Sequence, residues 1–144
     1  MRIIGRFVAI TLLFLISIIL FGCAATLKDY KPKSSEEEAI KMVLVEFESA
    51  WNKRHVPRIL TILHDNGRFP TGKEKKVISK KEYGDILPTR MAEVPTMAIG
   101  IPKINIAGGK AVVNASVDFI KFQSAFVYHM VKENNQWLIM SWEY

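Results

Sequence analysis

The sequence predicts an α+β domain, with helices first and an antiparallel sheet built from the second half of the chain. Three observations lead there. Apolar residues recur at three- and four-residue spacing in Ile40, Val43, Leu44, Phe47, Ala50 and Trp51, the mark of one buried helix face. From Met97 onward the apolar period drops to two, as a half-buried strand requires. Two dipeptides, Gly108-Gly109 and Asn134-Asn135, are placed to turn those strands back on themselves. Ser34–Tyr144 is enough chain for one core and too little for two.

The helical elements follow in order. Ser35-Glu36-Glu37-Glu38 matches a capping box, with Ser35 as the cap and Glu38 reaching back. Three glutamates also suit the positive end of the helix dipole, and the first helix is expected over about 36–53. Pro57 fits a first turn, so Ile59, Leu60 and Leu63 form a short second helix that ends near His64 and stops at Asp65-Asn66-Gly67. Residues 67–78 read as a short hairpin around Thr71-Gly72, with Val77-Ile78 in its second strand. Ser79-Lys80-Lys81-Glu82 repeats the capping-box pattern, and the third helix is expected to run to Leu87, closed by Pro88.

The strands pair through their turns. With Gly108-Gly109 as the loop, Ala107 faces Lys110, Ile106 faces Ala111 and Ile104 faces Val113. One face then collects Ile104, Ile106, Ala111, Val113, Ala115 and Val117, and the other Lys103, Asn105, Asn114, Ser116 and Asp118, the split of a half-buried antiparallel sheet. Uninterrupted pairing across Asn134-Asn135 puts His129 with Met140, Val131 with Leu138 and Val127 with Trp142 on one face. Tyr128 with Ser141, Met130 with Ile139 and Phe126 with Glu143 occupy the other. Both faces are largely apolar, so these strands belong mid-sheet.

This order of elements resembles the nuclear-transport-factor-2-like superfamily, which includes polyketide cyclases and steroid isomerases. The resembling residues are Phe47–Trp51-Asn52, then Ile59-Leu60 with Leu63-His64-Asp65-Asn66, then Asn135-Gln136-Trp137-Leu138-Ile139. The resemblance implies a curled antiparallel sheet wrapped around the N-terminal helix, a cone with a pocket at its open end. It does not bring the steroid isomerase chemistry along. The first helix has Phe47 and Trp51 but no Tyr, Phe69-Pro70-Thr71-Gly72 has no carboxylate, and Asp118 reads as outward.

The N-terminus carries an export signal: Arg2 and Arg6, then the apolar run from Phe7 to Phe21, about 15 residues and short for a bilayer span. Leu20-Phe21-Gly22-Cys23 resembles the lipobox of bacterial lipoproteins. The resemblance implies cleavage before Cys23 and acylation of that residue, whose two or three chains anchor stably where one does not. The expected organisation is a signal peptide over 1–22, a lipidated N-terminus and tether over 23–33, and the domain over 34–144. Cys23 is the only cysteine, so no disulfide forms within the chain. Ala24 lacks the Asp associated with inner-membrane retention, so in a Gram-negative cell the expected place is the outer membrane, facing the periplasm.

The full chain has a net charge of +6; the first 22 residues account for two basic residues and no acidic one. The remaining excess, clustered in Lys73, Lys75, Lys76, Lys80 and Lys81, comes with no nucleic-acid motif and reads as a solvated face near anionic headgroups. No CxxC, HExxH, GxSxG, P-loop or GxGxxG occurs, and the three histidines lack metal-ligand spacing. Neither a cofactor nor a metal is expected, and no residue is assigned as catalytic. The candidate pocket residues are Phe47, Trp51, Tyr128, His129, Trp137, Ser141 and Glu143; His55 and His64 read as helix C-terminal residues. The expected function is a lipid-anchored, non-enzymatic envelope protein. It binds a small apolar ligand or another envelope protein, with a homodimer through the outer sheet face. The alternative is an isomerase, dehydratase or cyclase with His129 or Glu143 as base, and the direction of those two side chains decides between the readings.

Overall fold

A computed structural model describes residues 24–144; Cys23 and the segment before it, expected from the sequence to be a signal peptide, lie outside the described residues. Among the described residues three α-helices precede a curled five-stranded antiparallel sheet. α1 (Ser35–Asn52) buries Ile40, Leu44, Phe47, Ala50 and Trp51, the predicted stripe. Its cap is one residue earlier than the spacing suggests. The Ser34 hydroxyl accepts from the Glu37 amide, and Glu37 accepts from the Lys33 amide at 2.7 Å and the Tyr30 hydroxyl at 2.6 Å. Tyr30 is thereby fixed against α1, and its phenol is pushed up to about 12 by burial and by the adjacent carboxylate.

α2 (Val56–Ile62) starts at His55, whose Nδ1 accepts from the Arg58 amide at 3.1 Å. His55 therefore opens a helix rather than ending one. β1 (Arg68–Thr71) and β2 (Lys76–Ser79) form the small hairpin. Gly67 before it has no room for a side chain, because a Cβ there would lie 2.3 Å from the Phe69 ring.

α3 (Lys80–Glu93) begins at the predicted capping box: Ser79 accepts from the Glu82 amide, and Glu82 accepts from the Ser79 amide at 2.8 Å. Replacing Ser79 by Ala is expected to cost about 1 kcal/mol. Urea denaturation reads this as a lower midpoint at unchanged slope, and an unchanged midpoint would count against it. The helix does not stop at Pro88 but runs on to Glu93, more than a turn further. Tyr83, Leu87 and Met91 are buried at four-residue intervals, and their packing outweighs the one backbone hydrogen bond that proline forfeits. The carbonyl facing the proline ring belongs to Gly84, itself close-packed on Leu60.

The sheet comprises β3 (Ala98–Ile99), β4 (Lys103–Ala107), β5 (Lys110–Asp118), β6 (Gln123–Glu133) and β7 (Gln136–Glu143). Its order is β3-β5-β6-β7, with β4 also on β5. The β4–β5 register is the one read from Gly108-Gly109, and Ala111, Val113, Ala115 and Val117 are buried as expected. Ile106 near the turn is instead more than a third exposed. The β6–β7 register agrees only from the turn to Met130↔Ile139. There β7 inserts Met140 as a bulge, so His129 pairs with Ser141, Tyr128 with Trp142 and Val127 with Glu143. A one-residue slip exchanges faces. It carries Trp142 into the core, where it is 5% exposed, and sends Ser141 and Glu143 to the face opposite.

The sheet curls around α1, which is clamped to it by side chains. Glu36 accepts from Lys132 Nζ at 2.6 Å and from Trp137 Nε1 at 2.7 Å. Asn52 exchanges two hydrogen bonds with the Met97 backbone, and Glu48 accepts from the Ile99 amide. The segment read as a tether is packed from Thr26 onward: Thr26 bridges Gly100, Leu27–Asp29 form a 3-10 turn, and Leu27 is 1% exposed in the core. Among the described residues only Ala24 and Ala25 precede that docking point. No helix among them is long and apolar enough to cross a membrane.

Candidate functional site

The open end of the cone holds a cavity of about 350 Å³. Four elements build its wall. α1 supplies Phe47 and Trp51, α3 supplies Tyr83 and Arg90, β6 supplies Phe126 and Tyr128, and β7 with the residue after it supplies Trp142 and Tyr144. Phe119 and Phe122 from the turn between β5 and β6 close one side, and Pro70–Lys73 from the small hairpin close the other.

The rings are interlocked. Trp142 lies 4.7 Å from Phe69, 5.1 Å from Tyr83 and 6.0 Å from Phe47, centroid to centroid. Phe126 stacks between Tyr128 at 5.7 Å and Tyr144 at 5.3 Å. Such tilted and offset pairs add to the burial of the rings themselves. Two backbone contacts hold the frame. Trp51 Nε1 donates to the Val94 carbonyl at 2.8 Å, and the Tyr144 hydroxyl donates to the Gly72 carbonyl at 2.8 Å. Gly72 sits at φ 75°, a conformation that glycine adopts without strain.

Polar groups are few. Tyr128 is 1% exposed, and its hydroxyl has no hydrogen-bond partner among the described residues. Burial drives its pKa far above the ordinary phenol value, so it stays a neutral donor. Tyr83 is displaced the same way by burial, with Arg90 acting against it. Arg90 Nη2 donates to Thr71 Oγ1 at 2.9 Å, and Nη1 lies 3.5 Å from Glu93. Among the described residues neither a side-chain carboxylate nor an imidazole lines the wall. Among the described residues no group of three or more His, Cys, Asp or Glu is arranged to hold a metal ion.

The structure divides the sequence-predicted candidates. Phe47, Trp51 and Tyr128 line the cavity. Trp137 faces the same side of the sheet but is committed to Glu36. His129, Ser141 and Glu143 lie on the outer face, where His129 Nε2 is 2.9 Å from Glu143 Oε1 and their side chains are 39% and 73% exposed. The bulge at Met140 is the physical reason for Ser141 and Glu143, so the polar patch of Tyr128, Ser141 and Glu143 is not formed. His129 faces out because it alternates along β6 with the buried Tyr128 and Met130. His64 is 8% exposed; its Nδ1 accepts from the Asn66 amide and its Nε2 meets Glu133 at 2.5 Å. It ties the end of α2 to the sheet.

Sequence reasoning missed Tyr83, Arg90, Phe119, Phe126 and Tyr144. Arg90 was hidden by ending the helix at Pro88. The large apolar residues of the last strand, Trp137, Ile139, Trp142 and Tyr144, break step by one after Ile139, which is the signal of the bulge.

No protein-family model matches the sequence, and no curated protein matches it. Solved structures do. A nuclear-transport-factor-2-like protein of unknown function from Shewanella baltica is 17% identical, with a TM-score of 0.64 over 78% of this chain and 96% of its own. A candidate ketosteroid isomerase from Shewanella frigidimarina is 19% identical, with a TM-score of 0.59 over 73% of this chain and 94% of its own. A candidate scytalone dehydratase from Novosphingobium aromaticivorans is 13% identical, with a TM-score of 0.59 over 75% and 81%. At these identities the likeness is one of fold, and the fold is the nuclear-transport-factor-2-like cone.

Proposed function

We propose that this chain uses its nuclear-transport-factor-2-like cone as a binding protein, anchored at the cell envelope through acylated Cys23. Its ligand is a small, flat, mainly apolar molecule with one hydrogen-bonding group. The observation that carries this is the buried, unpartnered Tyr128 hydroxyl in an aromatic cavity. A buried donor without a partner is costly, and a ligand oxygen reaching it would remove that cost. The aromatic walls favour ring systems, and about 350 Å³ falls within the range of small-molecule sites.

Binding without chemistry is the better reading because acid–base catalysis needs a proton acceptor in reach of the substrate. His129 and Glu143, the residues on which an enzymatic reading rests, face away from the cavity. Tyr128 can polarise a carbonyl, but the cavity wall supplies no base beside it.

A thermal-shift panel of steroid-like and polycyclic phenols or ketones tests the ligand class. At a hundredfold excess over Kd the folded state gains about 2.7 kcal/mol, a rise of several degrees in Tm. A flat response across such ring compounds, with aliphatic compounds equally inert, would count against it. Membrane attachment is tested separately, by the intact mass of protein extracted from its own membranes. A chain that starts at Cys23 and carries acyl chains supports the anchor, and an unmodified chain does not.

A further inference from the structure

The most exposed large apolar side chain among the described residues is Ile120, 77% exposed, and two residues on Phe122 is 53% exposed. Both lie on the turn between β5 and β6, and the turn is built rather than slack. The Asp118 carboxylate accepts from the Ile120 amide at 2.8 Å, and the Phe119 amide donates to the Phe122 carbonyl at 2.9 Å. Ile120 is held at φ 68°, a left-handed conformation that costs a β-branched residue energy. The fold thus accepts strain to place an isoleucine in water, beside Phe119 and Phe122 at the cavity rim.

The chain enters the body at the same end. Thr26 bridges Gly100, and the Gly100 amide donates to the Ser116 carbonyl, two residues before Asp118. Ile101, next along, is 48% exposed. Cys23 is three residues before Thr26, a reach of at most about 11 Å in extended chain. The apolar run from Phe7 to Phe21 precedes it. If that run stays, it holds Cys23 at a bilayer; if it is cleaved, acyl chains do so.

We infer that this end of the cone rests on the membrane, with Ile120 and Phe122 entering the interfacial region and the cavity mouth facing lipid. The inference rests on the membrane attachment proposed above. A longer tether would leave orientation free, whereas so short a one selects the face beside it. Lys121 on the turn and Lys73 at the rim bring positive charge to the same surface, which suits anionic headgroups. Isoleucine and phenylalanine are side chains whose burial at the headgroup boundary is favourable. An apolar ligand would then pass between bilayer and cavity without crossing water.

The test uses the full chain in membranes isolated from the cells that make it. Ile120→Cys and Ile106→Cys each carry a nitroxide, and the unsubstituted chain reports any labelling at Cys23. Ile106 is also surface-exposed but pairs with Ala111, seven residues and about 23 Å along β5 from Asp118. The expected result is a several-fold higher ratio of oxygen to nickel-complex collisions at position 120 than at 106. Membrane-bound protein with equal ratios would overturn the inference alone. Recovery in the soluble fraction would overturn the membrane attachment and this inference with it. Dipolar broadening between labelled molecules at position 120 would overturn it too, because a second copy would then cover the turn.

Discussion

Trp142→Ala is expected to lower stability by about 3–5 kcal/mol, roughly a fifth or more of what a domain of this size commonly has. The fall in Tm should exceed about 10 °C. The indole is 5% exposed and packs against Phe47, Phe69 and Tyr83 at once. Its removal opens a void continuous with the cavity that rigid rings cannot close. The companion substitution Glu143→Ala, one residue on and facing out, should stay within about 0.5 kcal/mol. Differential scanning calorimetry of the pair tests the bulge directly. With uninterrupted pairing the two residues would exchange faces, and the larger loss would fall on Glu143.

Tyr128→Phe is expected to act in opposite directions on stability and binding. In the free protein it removes a buried hydroxyl that has no partner, and stability should rise by about 1 kcal/mol. With a ligand that reaches the hydroxyl, affinity should fall by up to about tenfold, the worth of one net hydrogen bond. Denaturant unfolding and calorimetric titration measure the two effects. A variant that loses stability when free would mean that the hydroxyl is already satisfied. One that binds unchanged would place the ligand elsewhere on the wall.

Local chemistry made much of this fold legible. The stripe from Ile40 to Trp51, the capping box at Ser79 and the turn at Gly108-Gly109 each specify structure within a few residues, and each is found where the sequence puts it. What escaped was set by distant packing. Pro88 signals an end, yet Tyr83, Leu87 and Met91 hold the helix together through it because their partners lie on other elements. Lys28, Asp29, Lys31 and Lys33 make 24–33 look solvated, while a single Leu27 docks it. The cavity itself has no local pattern. Its wall joins Phe47, Arg90, Tyr128 and Tyr144, which only the curl of the sheet brings together. The bulge was the one hidden feature with a sequence trace, in the broken step between Ile139 and Trp142.

That bulge also bears on how the chain avoids its own copies. β7 ends the sheet, and an edge strand with a straight run of free amides and carbonyls is a template for aggregation. Here Met140 interrupts the run, and the Ile139 carbonyl beside it already accepts from the His64 amide at 2.9 Å. An incoming strand would find neither a regular ladder nor a vacant acceptor at mid-strand. The irregularity that carries Trp142 inward thus leaves the rim of the sheet a poor seed for fibrils.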